Sequence, residues 1–306
     1  MAGPERKMTQ FERAQLLRRP PSPALDWAVR SVDPHARLVT VRPITAATSS
    51  AMHRLIVDTP STRVRCLLRR FVRLDWLERE PDVARREAAA LTLLEGTAVK
   101  APRLIAVDAN GSHGDVPAVL MTRMKGRTDS SGRSRVFATR LAEELPRIHA
   151  IKVPDDAALP RYRPYGVDEP LTPPVWTKHP EAWERAIEIH RSPPPPHRVC
   201  FIHREYEPGN VLWAGGHVCG IVDSVSASVG AAEVDVGHCR TNLASRFGLR
   251  VADRFLNRWH ALSRGSGYHP YWDVVAAVGL LTDGPISPDD GLDQFVAHAV
   301  DRFGAV

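Results

Sequence analysis

Three polar side chains form the pattern in this sequence that is most suggestive of chemistry. Glu205 and Asn210 lie five residues apart in a predicted loop after His203, and Asp223 ends the predicted hairpin that follows. Phosphoryl transfer needs a carboxylate that orients or deprotonates the attacking hydroxyl, and oxygen ligands that hold Mg²⁺ against nucleotide phosphates. We therefore predict a phosphotransfer site in which Glu205 acts on the hydroxyl. Asn210 and Asp223 are its predicted catalytic metal ligands.

Short strands are predicted to position these side chains. Residues 198–203 read as a strand that leads into the loop. Residues 211–213 and 218–222 read as a hairpin around the turn Gly215-Gly216. A hairpin would fix the separation of Asn210 and Asp223, because each residue adjoins one of its two strands.

The remaining elements divide the chain into a strand-rich part and a helical part. We expect an α+β protein with domains at 1–125 and 126–306, and with an antiparallel meander near its start. The first 30 residues read as one amphipathic helix and a Pro-rich turn. Strands are predicted at 37–43, 52–58, 63–72, 103–108 and 117–122. Helices are predicted at 80–94, 136–151, 179–191, 234–247, 250–263, 270–281 and 289–303.

Composition and charge exclude several classes of protein. The 306 residues carry a net charge of +6, but 1–100 hold 18 basic and 11 acidic residues, whereas 101–306 hold 23 and 24. The basic excess in the first third favours a phosphate-binding lobe over a nucleic-acid partner, because no long basic run occurs. The four cysteines form no C-x-x-C pair, which disfavours zinc and disulfide frameworks. Neither a signal core nor a membrane span is predicted, so we expect a cytoplasmic protein.

The segment from His203 to Asp223 resembles a known family. The pattern His-x-Asp-x-x-x-x-Asn, followed by Asp on the next strand, is similar to that of the aminoglycoside phosphotransferases in the protein-kinase-like superfamily. The stretch from Glu233 to Leu243 resembles the helix that follows the metal-binding Asp in these enzymes. In such proteins His203 and Asp235 would hold the loop backbone. Glu207 would either face the acceptor or be a solvated loop acid.

The resemblance implies a bilobal protein-kinase-like fold with a β-rich N-lobe, a mainly helical C-lobe and nucleotide between them. It implies Mg²⁺ and ATP or GTP as cofactors and a hydroxylated small molecule as acceptor, with the protein a monomer or a homodimer. Arg69 would contact phosphates, and Glu87 would orient Arg69. The residues implied in nucleotide binding are Thr48, Ser49, Ser50, Arg69, Glu87, Met121 and Arg123.

The sequence departs from the pattern of the family in three respects. Glu205 replaces the catalytic Asp, and its extra methylene shifts the carboxylate by about 1.5 Å. Ala46 and Ala47 occupy the phosphate-covering loop where relatives often carry glycine, which approaches phosphate more closely. Ser224 stands where relatives often carry Trp.

Two hypotheses follow from these departures. The first is a phosphotransferase that moves the γ-phosphate of ATP or GTP to a hydroxyl of an antibiotic or a secondary metabolite. The second is a kinase fold that has been adapted to other biosynthetic chemistry, or to binding with weak catalysis.

Overall fold

The computed structural model describes residues 9–45, 47–129, 131–132, 136–263, 267–283 and 286–305. These residues form two units, which we call the N-terminal unit (9–125 and 156–159) and the C-terminal unit (126–155 and 160–305). An antiparallel sheet dominates the first unit and helices dominate the second, which confirms the α+β class. Among the described helices, none is long and apolar enough to cross a membrane.

Alternating apolar residues form the sheet of the N-terminal unit. Its described part has five antiparallel strands in the order β1-β2-β3-β5-β4, so the first three form the predicted meander. On one side, which we call the back face, residues such as Leu55 and Leu68 pack against Leu25 and Val29 of helix α2. The other side is the front face. The strands are β1 (Arg37–Pro43), β2 (Ala51–Asp58), β3 (Arg63–Arg70), β4 (Leu104–Asp108) and β5 (Ala118–Thr122).

The helices of the N-terminal unit differ from the prediction at proline-containing boundaries. Two helices replace the single predicted one near the start, and Pro23 lies in the first turn of the second. The predicted helix from residue 80 begins only at Val83, because Pro81 disfavours a helical conformation at the preceding residue. The helices are α1 (Gln10–Leu17), α2 (Ser22–Val32), α3 (Leu74–Arg79), which was not predicted, and α4 (Val83–Leu94).

The C-terminal unit consists of helices and two small sheets. The central helix, α7, is buried along its first three turns. The helices are α5 (Phe137–His149), α6 (Pro180–Arg191), α7 (Ala232–Phe247), α8 (Leu249–Leu262), α9 (Tyr271–Gly279) and α10 (Asp290–Gly304). The strands are β6 (Arg127–Thr128), β7 (Val199–Ile202), β8 (Val211–Ala214), β9 (His217–Ile221) and β10 (Ser228–Ala231).

The two small sheets bring the loop after β7 and the end of the hairpin into one region. Strand β8 pairs with β6 and β9, and β10 pairs antiparallel with β7. Strands β6 and β10 were not predicted, because β6 is only two residues long and β10 consists mostly of small residues that carry no apolar alternation. The β7–β10 pairing sets the turn after Asp223 beside the loop that carries Glu205.

Candidate functional site: a carboxylate loop and hairpin in the C-terminal unit

The buried carboxylate of Asp235 holds the loop that carries Glu205. The backbone N–H of His203 donates to Asp235 Oδ2 at 2.9 Å, and that of Arg204 donates to Oδ1 at 2.6 Å. The ring Nε2 of His149 in α5 lies 3.0 Å from Oδ2. Asp235 is fully buried, so these partners offset the cost of removing its charge from water. The structural roles predicted for His203 and Asp235 agree with these contacts.

We expect Asp235→Asn to destabilise the protein. Asn keeps the shape of the side chain, but it has no charge and presents an N–H₂ group to donors that need an acceptor. The free energy of unfolding should fall by about 2–4 kcal/mol, as found when one partner of a buried charged network is removed. Chemical denaturation would measure this change. Asp301→Asn, at an exposed position of α10, is the matched control and should change stability by less than about 0.5 kcal/mol; equal effects would contradict the prediction.

Arg204 has a left-handed backbone conformation, with φ of 70°, just before Glu205. Such a conformation costs a non-glycine residue about 1–3 kcal/mol. Its guanidinium carbon lies 3.8 Å from the ring centroid of Tyr165, and its Nη2 donates to the carbonyl oxygen of Arg163 at 2.9 Å. These contacts, together with Asp235, stabilise the conformation that turns Glu205 toward the hairpin.

Glu205 is fixed at both its side chain and its backbone. The Ser226 hydroxyl donates to Glu205 Oε1 at 2.6 Å, and Asn210 Nδ2 donates to the Glu205 carbonyl oxygen at 2.9 Å. Ser226 belongs to the turn that follows Asp223. The longer side chain of Glu therefore reaches a hydroxyl that holds its carboxylate. Sequence reasoning missed Ser226, because nothing in a single sequence links it to residue 205.

Val222 connects the two predicted metal ligands through its backbone. Its N–H donates to the Asn210 carbonyl oxygen at 2.9 Å, and its carbonyl oxygen accepts from His203 Nε2 at 3.1 Å. Burial lowers the pKa of His203, so the ring is neutral and Nε2 carries the donated proton. Asp223, which follows with φ of 71°, is therefore held close to Asn210 and Glu205.

The oxygen atoms of Asn210 and Asp223 fit a Mg²⁺ site of the kind completed by substrate phosphates. Because Asn210 Nδ2 is turned to the Glu205 carbonyl, its Oδ1 is directed away from that bond. No group of three His, Cys, Asp or Glu side chains among the described residues could hold a metal ion. Magnesium sites in phosphotransfer enzymes do not require three such side chains, since one or two protein ligands and phosphate oxygens suffice.

Burial and the nearby Asp223 carboxylate raise the pKa of Glu205 to about 7, although the Ser226 hydrogen bond lowers it. Two neighbouring carboxylates resist simultaneous ionisation, and a bound cation would relieve this repulsion. In metal-free protein we expect the Glu205 carboxyl to titrate near pH 7 when followed by ¹³C NMR. Asp223→Asn should lower that pKa, whereas the exposed control Asp290→Asn should leave it unchanged; an unchanged pKa in both variants would contradict the coupling.

The expectation that Glu207 is a solvated loop acid is wrong. Its side chain is only 8% exposed, and Arg246 Nη2 donates to its Oε2 at 3.2 Å. Gly209 permits this arrangement, because a Cβ there would lie 2.7 Å from Glu207 Oε1. Glu207 and Arg246 thus stabilise the short turn Pro208–Asn210 that carries Asn210.

The N-terminal unit brings together two of the predicted nucleotide-binding residues. Arg69 on β3 donates from Nη1 to Glu87 Oε1 on α4 at 2.7 Å, and both side chains are buried. Arg69 Nη2 also lies 3.6 Å from the Met52 sulfur on β2. The helix acid therefore orients the strand arginine on the front face of the sheet.

The other predicted nucleotide-binding residues lie in the β1–β2 loop and at the end of β5 in the same sheet. Thr48 and Ser49 are half-buried in the β1–β2 loop and Ser50 is buried, while Ala46 lies outside the described residues. Met121 is buried on β5, and the backbone N–H of the exposed Arg123 donates to the Arg65 carbonyl oxygen at 3.1 Å.

Solved structures with the same fold are phosphotransferases. A provisionally assigned aminoglycoside phosphotransferase from Ralstonia eutropha JMP134 is 14% identical with a TM-score of 0.59, covering 94% of this chain and 99% of its own. APH(4)-Ia is 11% identical with a TM-score of 0.60, covering 92% and 97%. Macrolide 2′-phosphotransferase MphH from Brachybacterium faecium is 17% identical with a TM-score of 0.55, covering 90% and 98%. At these identities the likeness shows the shared kinase-like fold.

The sequence comparisons add the family. No curated protein matches the chain. The model of the phosphotransferase enzyme family, APH, matches residues 40–277, which include β2 to β5, part of β1 and the whole loop and hairpin around Glu205. The chain therefore belongs to the phosphotransferase enzyme family.

Proposed function

We propose that this protein transfers the γ-phosphate of ATP or GTP to a hydroxyl group of a small molecule, an antibiotic or a secondary metabolite. Membership of the family supports phosphotransfer to a small molecule. The observation that carries the proposal is the Glu205 carboxylate, which Ser226 holds at 2.6 Å beside the Asn210 and Asp223 hairpin. A positioned base and adjacent oxygen ligands are the main protein groups that this reaction requires.

In this proposal Glu205 accepts a hydrogen bond from the acceptor hydroxyl and removes its proton as the phosphoryl group arrives. Burial raises the pKa of Glu205, so it is a stronger base than an exposed carboxylate and better matched to neutral pH. Asn210 Oδ1 and the Asp223 carboxylate would hold Mg²⁺. When bound, Mg²⁺ supplies positive charge that neutralises the phosphate oxygens.

The N-terminal unit would bind the nucleotide. Arg69 offers a permanent positive charge that can grip phosphate oxygens, and Glu87 keeps it oriented. We assign Thr48, Ser49 and Ser50 to covering the phosphates, and the backbone of Met121 and Arg123, at the end of β5, to contacting the base. Residues 1–125 thus form the proposed nucleotide-binding domain, and 126–306 the proposed catalytic and acceptor domain.

Related structures support the donor and the class of acceptor. APH(4)-Ia has been solved as a ternary complex with AMP-PNP and hygromycin B, which are a nucleotide analogue and a hydroxyl-bearing antibiotic. We extend the same two ligand classes to this chain. The four cysteines are free thiols, which suits the reducing cytoplasm that we propose as its location. We propose a monomer or homodimer that does not bind nucleic acid.

The test is nucleotide-dependent phosphorylation by purified protein. Mg·ATP and Mg·GTP would each be combined with a panel of aminoglycosides, macrolides and hydroxylated secondary metabolites, and products would be detected by ³¹P NMR and mass spectrometry. Asp290→Asn, which removes an exposed charge from α10, should retain activity. If no acceptor is phosphorylated and calorimetry shows no Mg-nucleotide binding, the proposal is wrong.

The alternative hypothesis is a kinase fold adapted to other chemistry or to binding alone. It is favoured by the replacement of the catalytic Asp with Glu205 and by the glycine-free loop. Native activity that does not depend on nucleotide or on Asp223 would support it.

A further inference from the structure

Arginines are concentrated on the front face of the N-terminal sheet. Arg42 on β1 is directly opposite Arg54 on β2 in the strand register. Arg54 is opposite Leu67, so it lies diagonally between Arg65 and Arg69, which are two positions to either side of Leu67 on β3. Because alternate residues of a strand share a face, all four arginines project from the same side. Directly opposite residues have Cβ atoms about 4.5–5.5 Å apart, and diagonal neighbours about 7–8 Å.

Most other arginines in this sheet have carboxylate partners. Arg63 pairs with Asp58 at the far end of the front face, Arg70 pairs with Asp115 on the back face, and Arg69 pairs with Glu87. Arg42, Arg54 and Arg65 have exposed side chains. Among the residues that the structure describes, no carboxylate forms an ion pair with any of these three.

Two like charges directly opposite each other destabilise a pair of strands. The Arg42–Arg54 pair therefore adds nothing to folding that neutral residues would not provide better. The three arginines without carboxylate partners lie next to Arg69, which is assigned to phosphate contact. Together these positive charges match a ligand that carries several negative charges close together. Guanidinium groups recognise phosphate in a bidentate manner, which suits such a ligand.

The chemistry of the face distinguishes between two kinds of polyanion. Binding of single-stranded nucleic acid generally combines positive charge with aromatic side chains on which the bases stack. The front-face positions of β1, β2 and β3 among the described residues carry arginines with Thr40, Met52, Ile56, Asp58 and Leu67, and no aromatic residue. A short chain of linked phosphates needs the charge but not the stacking.

We propose that Arg42, Arg54 and Arg65 form a binding surface for a ligand with three or more linked phosphates, continuous with the phosphate contact of Arg69. The inference rests on the proposed function, because it extends the site assigned to the nucleotide phosphates. The source of the phosphate chain is a nucleoside triphosphate or an inorganic polyphosphate. Recognition of the phosphate chain would then depend on the positive charges of these strand residues as well as on the β1–β2 loop.

The test compares two double variants that remove the same charge. Arg42→Thr with Arg54→Thr removes the front-face pair, and Thr is favourable in strands. Arg13→Gln with Arg30→Gln removes two exposed arginines from α1 and α2, away from the front face. Calorimetry on the full-length protein without metal would measure the affinity for inorganic tripolyphosphate, ATP, GTP and an oligothymidylate at two salt concentrations.

The front-face variant should bind at least tenfold more weakly whichever phosphate chain the wild-type protein binds, with a smaller dependence on salt, while its melting temperature stays the same or rises. The control variant should bind like wild type. If wild-type protein binds ATP and GTP with comparable affinity but tripolyphosphate weakly, the source of the phosphate chain is a nucleotide. If it binds tripolyphosphate tightly, the source is an inorganic chain. Equal losses in both variants, tighter binding of oligothymidylate, or wild-type protein without affinity for any phosphate chain would overturn the proposal.

The single variant Arg65→Thr provides a second measurement and should weaken tripolyphosphate binding without unfolding the sheet. Failure of this inference can be told apart from failure of the proposed function. An enzyme that transfers phosphate but whose front-face variant binds normally would refute the arginine surface alone. A protein that binds tripolyphosphate through these arginines but phosphorylates no acceptor and binds no Mg-nucleotide would refute the proposed reaction alone.

Discussion

Glu205→Gln is expected to lower the rate of phosphotransfer by about 10²–10⁴-fold, the usual contribution of a positioned general base. Glutamine has nearly the same shape and can still accept the Ser226 hydrogen bond, but it cannot take the proton of an acceptor hydroxyl. Most of the loss should appear in kcat rather than in KM. Steady-state kinetics with any acceptor found active would measure it, or hydrolysis of Mg·ATP by water if none is found.

The same substitution should increase stability above neutral pH. The pKa of Glu205 is raised from 4.5 to about 7 in the folded state, so the folded protein binds this proton more tightly than the unfolded chain. Wild-type protein therefore loses stability as pH rises from about 4.5 to 7, by up to about 3 kcal/mol. Glu205→Gln removes that loss and should be more stable than wild type at pH 8. A variant that loses both activity and stability would indicate a structural role for Glu205.

Glu205→Asp tests whether the Ser226 contact matters for catalysis. Shortening the side chain withdraws the carboxylate by about 1.5 Å from the serine hydroxyl, so the activity of this variant is expected to fall rather than rise. In Ser226→Ala the carboxylate loses the same hydrogen bond. The double variant Glu205→Asp with Ser226→Ala should lower the rate by less than the two single effects combined would predict. Ser226→Thr, which keeps a hydroxyl, should retain much of the wild-type rate.

Asp223→Asn is expected to lower kcat by at least about 10²-fold, because the carboxylate is the charged member of the proposed Mg²⁺ pair. Asn keeps an oxygen ligand but not the negative charge, so the apparent affinity for Mg²⁺ should also fall. Titration of activity with Mg²⁺ at fixed ATP would separate the two effects. Asp290→Asn on α10 is the matched control. Full activity in Asp223→Asn at ordinary Mg²⁺ concentrations would exclude a metal role for Asp223.

Much of the candidate site could be predicted from the sequence, because its residues follow a fixed order on short elements. Glu205, Asn210 and Asp223 are brought together by the loop and hairpin, and Arg69 meets Glu87. Alternation on β2, an apolar core on β3 and helical spacing on α4 and α5 made those elements recognisable. These features depend on local patterns, which a single sequence contains.

The contacts that were missed depend on pairing between distant segments. Ser226 reaches Glu205 only because β10, which is four residues long, pairs with β7. Glu207 is buried because Arg246, in the last turn of α7, turns toward it. Neither a short strand of mostly small residues nor an ion pair across 39 residues leaves a periodic pattern in the sequence.

The carboxylate of Asp235 also has a consequence for how the protein folds. It joins α7 to α5 through His149 and to the loop after β7 through the amides of His203 and Arg204. Because these contacts join segments that are distant in sequence, we expect the loop to reach its final conformation late in folding. In the folded protein, the amide hydrogens of His203 and Arg204 should exchange with solvent only when the helical core opens. Their exchange rates should therefore report on the cooperative unfolding of that core.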